Sequence, residues 1–417
     1  MQELRISPEK IHPVAVEVCR ILQEANYQAF IVGGCVRDLL LGQAPKDWDI
    51  CTDAQPEEVI RLFPKTIPTG LQHGTVTVCM GEGVDNHFEV TTFRVEGKYL
   101  DGRRPESVAF VQDVQEDLAR RDLTINAMAY NPISEELVDP YGGLDDLNKG
   151  LIRAVGNAEM RFQEDGLRIM RVARFAARFG YHISLPTLEG MKNSLDTLKK
   201  VSKERISDEL SKTLLAKHSS LGLHVLQDSG ALDIACPLLA GRQLPLLSKQ
   251  DTCVGELETR LAFLYNRIDI TQVEKELIAL KFSTREVKKA IFLQKVLDLY
   301  YITKIREQNS PVPDFAYRYF IAFIKNEAID TPESTLREFV TLAEALGEPI
   351  KEMLEKYRNE PAIGRKDMNL NGDDLLAAGM KPGPQIKKVL DKCYTAVLQH
   401  PENNTKKFLL EMARQID

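Results

Sequence analysis

Phe30-Ile-Val-Gly33-Gly34-Cys-Val-Arg37-Asp-Leu39 is followed, ten residues after Arg37, by Asp47-Trp48-Asp49. The apolar run Ala29 to Val32 suits a buried strand, and Cys35 to Leu41 reads as a helix. A glycine pair between the two permits close approach to free backbone N–H groups, where a triphosphate would sit with Arg37 one turn in. Asp47 to Thr52 reads as a second strand. Residues two apart in a strand share a face, so Asp47 and Asp49 project together while Trp48 and Ile50 turn toward a core. Such a pair suits magnesium, which takes one or two carboxylates plus phosphate oxygens and supports displacement at an α-phosphorus. A lone Gly-Gly or a lone Asp-x-Asp is common. Their combination within about 20 residues points to nucleotidyl transfer.

The flanks extend this into a small mixed α/β unit. Val14, Val18, Ile21 and Leu22 follow helical spacing, and Pro56-Glu-Glu opens a helix to about Phe63. Gly74 to Met80 and His87 to Arg94 read as strands. On the latter, Glu89 lies opposite Phe88 and Val90, so it faces the polar side as a third carboxylate, either metal ligand or base for an attacking hydroxyl. Gly97 to Ser107 is rich in turn formers and charge and reads as an exposed loop. After a turn at Asp139-Pro-Tyr-Gly-Gly143 and from about Arg153, helical patterns run to the end. Weak breaks fall around Gly180, between Pro237 and Gln250, near Asp330-Thr-Pro and from Gly379 to Pro384.

A chain of 417 residues implies several domains at about 150 residues each. No run of about 18 apolar residues exists to span a membrane, and the N-terminus lacks signal-peptide order, so a cytoplasmic protein is expected. Seven cysteines without a Cys-x-x-Cys pair indicate neither a disulfide framework nor a zinc site. Seven dispersed histidines without a His-Asp doublet argue against an appended phosphohydrolase. The formal net charge of -7 argues against a nucleic-acid partner unless charge is locally segregated.

It is segregated. Asn157 to Arg178 reads as one helix with Arg168, Arg171, Arg174 and Arg178 at i+3 or i+4, and with Leu167, Met170, Val172 and Phe175 filling the apolar face. Gly166 inside it loosens the helix by up to about 1 kcal/mol. The bland reading is a solvated stripe with Glu164 pairing Arg168. The functional one sets Asp165 and Arg168 on one face, where an acceptor beside donors matches the amino group and bare ring nitrogen of cytosine or adenine and repels uracil or guanine. Arg120-Arg121 heads an apolar run to Ala129 that reads as helical. With Arg103, Arg104 and Arg161, these residues make the site region basic.

As a set, these motifs resemble the class II tRNA nucleotidyltransferases, the bacterial CCA-adding enzymes of the polymerase β-like superfamily. The resemblance runs through Val32 to Gly42, Asp47-Trp-Asp49, His73-Gly-Thr75, Glu89 to Phe93, Arg103-Arg-Pro-Glu106, Glu116 to Ala127, Asp139-Pro140 and Glu164 to Arg174. Leu370 to Leu376 with Lys381 to Pro384 adds a weaker C-terminal likeness. It implies an α+β protein: a small mixed-sheet nucleotidyltransferase head (1–153), then an all-helical neck with the nucleotide-selecting site (154–215), body (216–330) and tRNA-binding tail (331–417), arranged like a seahorse. It implies that Asp47 and Asp49 bind Mg2+, that Gly34, Arg37 and Arg121 contact the nucleotide, and that Asp165, Arg168, Arg171 and Arg174 read the base. The implied activity is stepwise addition of C, C and A to a tRNA 3′ end from CTP and ATP, with the acceptor arm held by body and tail.

Bacterial poly(A) polymerases share the Gly-Gly and Asp-x-Asp elements, but this chain has Thr69 to Val76 where they carry a Gly-Arg-Arg-Phe-Arg-Leu-like stretch, and it lacks a basic tail. CC-adding relatives usually lack the loop that Asp101 to Glu106 supplies here. A-adding-only relatives can keep every motif named, so that reading stands beside full CCA addition. A non-catalytic RNA-binding protein would not need Asp47 and Asp49. A small-molecule nucleotidyltransferase would not need the basic stripe or about 240 further helical residues.

Overall fold

Ala29–Val32 are buried on both faces, as a strand near the middle of a sheet must be. The computed structural model describes residues 4–81, 83, 86–96, 108–241, 247–309, 312, 314–351, 353–355 and 364–416. Two compact units form, Met1–Gln243 and Leu244–Asp417.

In chain order the first unit runs α1 (Pro13–Glu24), β1 (Ala29–Val32), α2 (Gly34–Leu40), β2 (Asp49–Thr52), α3 (Pro56–Leu62), β3 (Thr66–Gly70), β4 (Thr75–Cys79) and β5 (His87–Thr92). It continues through β6 (Arg94–Glu96), β7 (Val108–Phe110), α4 (Val114–Ala119), β8 (Ala129–Asn131), β9 (Glu136–Val138), α5 (Gly143–Lys149) and β10 (Leu151–Ile152). The helical part follows: α6 (Ala158–Glu164), α7 (Leu167–Phe179), the short β11 (His182–Ile183), α8 (Leu185–Asn193), α9 (Leu195–Leu198), α10 (Lys203–Leu215) and α11 (Ser219–Ser229). Seven strands form one sheet in the order β3-β4-β5-β2-β1-β8-β9. Only the β2/β5 pair in it is parallel, which sets Asp49 level with Glu89. The mixed sheet and the helical remainder match the fold class read from the sequence.

Several local expectations need correction. Asp47 lies in a bend before β2, not within the strand, and is exposed, while Trp48 is only half-buried with its ring 6.1 Å from His12. The run after Arg121 is a short turn, Thr124–Asn126, followed by β8, because Ile125, Ala127, Met128 and Ala129 are wholly enclosed and the last pairs with Val32. The chain after Arg153 is not wholly helical: β11 pairs in parallel with β10. Asn157 to Arg178 is two helices, since Asp165 is extended (φ -141°, ψ 109°). Gly166 marks the break for a steric reason. A Cβ there would lie 2.5 Å from the Thr197 carbonyl carbon. The Gly97 to Ser107 segment, with Arg103 and Arg104, lies outside the described residues.

The second unit is helical, built on the 25-residue helix Thr284–Gln308, whose N-terminus carries a Ser283/Glu286 capping box. One core gathers Phe263, Phe292, Tyr300, Phe320 and Phe339, and another gathers Leu375, Val389, Cys393, Val397 and Leu409. Buried Arg318 donates from Nε to the Leu398 carbonyl (2.6 Å) and from Nη2 to that of Gln399 (3.0 Å), closing the end of helix Pro384–Gln399. All seven cysteines are buried free thiols.

In the first unit α11 lies on α7 and α10 through Gly222, where a Cβ would meet Thr213 Cγ2 at 2.7 Å and the Ala173 carbonyl oxygen at 2.8 Å. Glycine inside a helix normally costs about 1 kcal/mol against alanine. Here overpacking reverses the sign: Gly222→Ala should lower stability by about 1–3 kcal/mol in urea or thermal unfolding. A stabilised variant would refute the close-packing role.

Candidate active site

The glycines open the site. Gly33 has φ +81° and ψ -126°, a backbone that side chains rarely adopt, and a Cβ on it would lie 2.6 Å from Arg121 Nη1. Gly34 then begins α2 and lines a cavity of about 800 Å³. Among the described residues its walls carry nine arginines (37, 94, 120, 121, 168, 171, 174, 178 and 205) against four aspartates (47, 49, 122 and 165). The local surplus of positive charge, in a chain of net charge -7, is what a polyphosphate requires.

Nine of the ten residues singled out above line this one cavity: Gly34, Arg37, Asp47, Asp49, Arg121, Asp165, Arg168, Arg171 and Arg174. Glu89 does not. It stands exposed on β5 in register with Asp49. Burial raises the Asp49 pKa, Arg121 opposes this, and Glu89 and Asp47 reinforce it. Crowded carboxylates of this kind gain from a cation between them, so the donor set fits a divalent metal. Among the described residues, no three His, Cys, Asp or Glu side chains already close around one point.

The guanidinium groups are held from behind. Arg37 is buried, donates to Asp38 Oδ1 from Nε (2.9 Å) and Nη2 (2.8 Å) and to the Asn126 side chain, and lies against the Phe175 and Phe179 rings. Arg120 and Arg121 share buried Asp117 at 2.7 and 3.3 Å. Arg171 Nε donates to Asp122 Oδ2 (2.7 Å), and Arg174 Nη1 to Glu209 Oε1 (3.0 Å), with both cations against the Phe175 ring. Arg168 donates from Nη1 to the Arg161 carbonyl (3.1 Å) and Glu164 Oε2 (2.5 Å), and from Nη2 to the Arg120 carbonyl (2.9 Å). The Glu164–Arg168 pair of the bland reading is therefore present, and Arg168 is buried rather than a solvated stripe residue. Asp165 is bonded to Arg205, not to Arg168.

Asp38, Asp117, Asp122, Asn126, Arg205 and Glu209 were not singled out, and Phe175, expected to fill the apolar face, lines the cavity against Arg37, Arg171 and Arg174. Only Asp117-x-x-Arg120-Arg121 carries a readable signal, a carboxylate three and four residues before two cations. The Asp122–Arg171, Asp165–Arg205 and Arg174–Glu209 pairs span 49, 40 and 35 residues, and no spacing rule reaches that far.

Residues 29–153 match the family described as Poly A polymerase head domain, and residues 256–413 match tRNA nucleotidyltransferase domain 2. The CCA-adding enzyme of Lactobacillus delbrueckii subsp. bulgaricus is 35% identical, with 99% of each chain covered. The chain belongs to the CCA-adding enzyme family. The Streptococcus agalactiae CCA-adding enzyme is 36% identical over 96% of each chain. The Bacillus stearothermophilus CCA-adding enzyme, solved in complex with CTP, is 30% identical with a TM-score of 0.75, covering 97% of this chain and 98% of that one. The Thermotoga maritima enzyme complexed with tRNA shares the fold at 22% identity and a TM-score of 0.68, covering 98% of this chain and 97% of that one.

Burial pushes the Asp122 carboxyl toward neutrality, but Arg171, Arg168 and the Asn126 amide outweigh it and hold its pKa well below the usual range. A depressed carboxylate stabilises the fold fully above its unfolded pKa of about 3.9 and loses that contribution as pH falls toward the folded value. Asp122→Ala should cost about 3 kcal/mol at neutral pH. It should also flatten the acid limb of a stability-against-pH curve below about pH 4. An unchanged acid limb would show that Asp122 is not the titrating group.

Proposed function

We propose that this chain adds C, C and A stepwise to the 3′ end of tRNA from CTP and ATP, without a nucleic-acid template and with release of pyrophosphate. The observation that carries the proposal is one cavity lined both by the Asp47/Asp49 pair and by Asp165, Arg168, Arg171 and Arg174 of α7 and its preceding turn. Full-length likeness to CCA-adding enzymes supports it.

Asp47 and Asp49 would hold a divalent ion, which we take to be Mg2+, and the ion would offset charge on the α-phosphate and sharpen the 3′-hydroxyl as a nucleophile. Glu89, level with Asp49, is assigned to that hydroxyl as base or further ligand. Gly34 lets the triphosphate approach the backbone, and Arg37 and Arg121 supply positive charge from behind it. Asp165 and Arg168 read the amino group and ring nitrogen shared by cytosine and adenine. Arg171 and Arg174 complete the base-binding wall.

We assign 1–153 to the catalytic head, 154–215 to the neck, 216–330 to the body and 331–417 to the tail, with the helical second unit gripping the acceptor arm. Among the described residues no helix is long and apolar enough to cross a membrane, and we place the enzyme in the cytoplasm with its tRNA substrate.

Three tRNA transcripts, ending before CCA, after C and after CC, test the proposal when each is given CTP, ATP or both with magnesium. Complete CCA on the shortest is expected. A added only to the CC-ended transcript would make this an A-adding enzyme, and a long A tract would make it a poly(A) polymerase. Asp47→Ala and Asp49→Ala should each abolish incorporation while tRNA binding, read by filter retention, stays within about twofold, since the metal acts on the reaction and not on the arm. Equal loss of binding would remove the metal assignment.

A further inference from the structure

His73 and Arg94 line the same cavity as Asp47 and Asp49 but have no part in the roles proposed above. His73 ends the short turn Leu71–His73 before β4, and Arg94 opens β6, two residues past the end of β5. Thr75 pairs with Thr91 in the β4/β5 ladder, and the Thr92 N–H donates to the Gly74 carbonyl at 2.9 Å, so these strand ends meet. Arg94 Nη1 donates to the His73 carbonyl. The Arg94 backbone N–H donates to Asp117 Oδ1 at 3.4 Å, and the same carboxylate holds Arg120 and Arg121. Across the β6/β7 ladder Arg94 pairs with Phe110, whose ring lies over Gly74, where a Cβ would meet its Cε1 at 2.7 Å. Phe110 is nonetheless 40% exposed.

Sheet order gives this cluster its place. Gly33 and Gly34 follow β1, and Arg121 lies against Gly33, so the phosphate cradle is on the β1 side of β2. Glu89, Arg94 and His73 belong to β5, β4 and their ends, on the other side of β2. In a displacement at phosphorus the attacking and leaving oxygens stand roughly in line, on opposite sides of the reacting centre. With pyrophosphate drawn toward Gly34, Arg37 and Arg121, the hydroxyl approaches from the β5/β4 side, where Glu89 stands.

We infer that Arg94 and Phe110 form the subsite for the 3′ end of the RNA. The Arg94 guanidinium takes the phosphodiester between the last two nucleotides, and the Phe110 ring stacks on a base. The inference rests on the nucleotidyl transfer proposed above. A cation beside an exposed aromatic ring binds single-stranded nucleic acid without reading its sequence. That tolerance suits an RNA end that presents a different nucleotide after each addition.

The test compares two tRNAs ending in CC, one of them with a neutral methylphosphonate in place of its last phosphodiester, each given ATP and magnesium with the full chain. Wild type should lose about tenfold or more in kcat/KM on the neutral linkage. Arg94→Ala and Arg94→Gln should lose as much on the ordinary tRNA and little further on the neutral one, while KM for ATP stays within about twofold. Phe110→Ala should raise KM for tRNA about fivefold or more, and Phe110→Tyr should restore it. A neutral linkage that harms the Arg94 variants as much as wild type, or leaves wild type unaffected, would overturn the phosphodiester contact. A rise in KM for ATP with unaltered sensitivity to the linkage would assign Arg94 to the incoming nucleotide instead. Wild type that extends no ordinary tRNA would remove the proposed activity and the subsite together. If Arg94→Ala does not fold, as judged by thermal unfolding, Arg94→Gln carries the comparison, since its amide keeps a donor for the His73 carbonyl without the charge.

Discussion

Nine guanidinium groups around one cavity repel each other, and carboxylates behind them determine where several of them rest. Asp38, Asp117, Asp122, Glu164 and Glu209 hold Arg37, Arg120 with Arg121, Arg171, Arg168 and Arg174 respectively. Removing any one would leave a cation to find a partner among its neighbours' anions. The ring of Phe175, with Arg37, Arg171 and Arg174 all packed against it, supplies a further contact that hydration cannot easily displace. Asp38 reaches across the sequence as well, accepting from Arg178 at 3.1 Å, so the first turn after the glycine pair is tied to the end of α7.

This explains how an acidic chain serves a polyanionic substrate. Net charge measures the whole surface, whereas recognition depends on the field in one concavity. Of the carboxylates that hold arginines, Asp38, Asp117, Glu164 and Glu209 are outside the cavity's lining, while the arginines they hold are part of it. The supports also depress their own proton affinity where the arginines win over burial, as at Asp117 and Asp122. Asp49 has the opposite balance: burial, with Glu89 and Asp47 nearby, outweighs Arg121. Carboxylates around one cavity are therefore held in different electrostatic states, with the pKa raised at Asp49 and lowered at Asp117 and Asp122.

The glycine pair, the aspartate pair and the arginine stripe were legible because each is local: each member follows the previous one within about one helical turn. The helical second unit was legible from periodicity alone. What the sequence concealed was set by long-range packing. β8 is three residues long and has no alternating pattern, and its neighbours Ile125 to Met128 look helical until enclosure on every side and pairing with β1 decide otherwise. Gly166 could be read as a weak point in a helix, but its reason, the Thr197 backbone 2.5 Å from where a Cβ would sit, belongs to a segment more than thirty residues on. The positioning partners Asp122, Arg205 and Glu209 were hidden for the same reason.

Under the proposed assignment, a base is read by groups that are already bonded, and this shapes what they can read. Asp165 Oδ1 accepts from the Leu167 N–H and, at 3.4 Å, from Arg205 Nη1, whereas Oδ2 accepts from Arg205 Nη2 and keeps a lone pair for an amino group. Arg168 has five N–H donors, of which both on Nη1 and one on Nη2 are spent on Glu164 and the Arg161 and Arg120 carbonyls. Its Nε–H and one Nη2–H lie outside those three bonds. An acceptor that cannot turn and a donor with few directions left match an amino group beside a bare ring nitrogen, the edge that C and A share. A freely rotating pair would offer no such restriction and would pair with U or G by reorienting. Selectivity in a site that has no template strand therefore depends on how much of each side chain's hydrogen-bonding capacity is occupied before the nucleotide arrives.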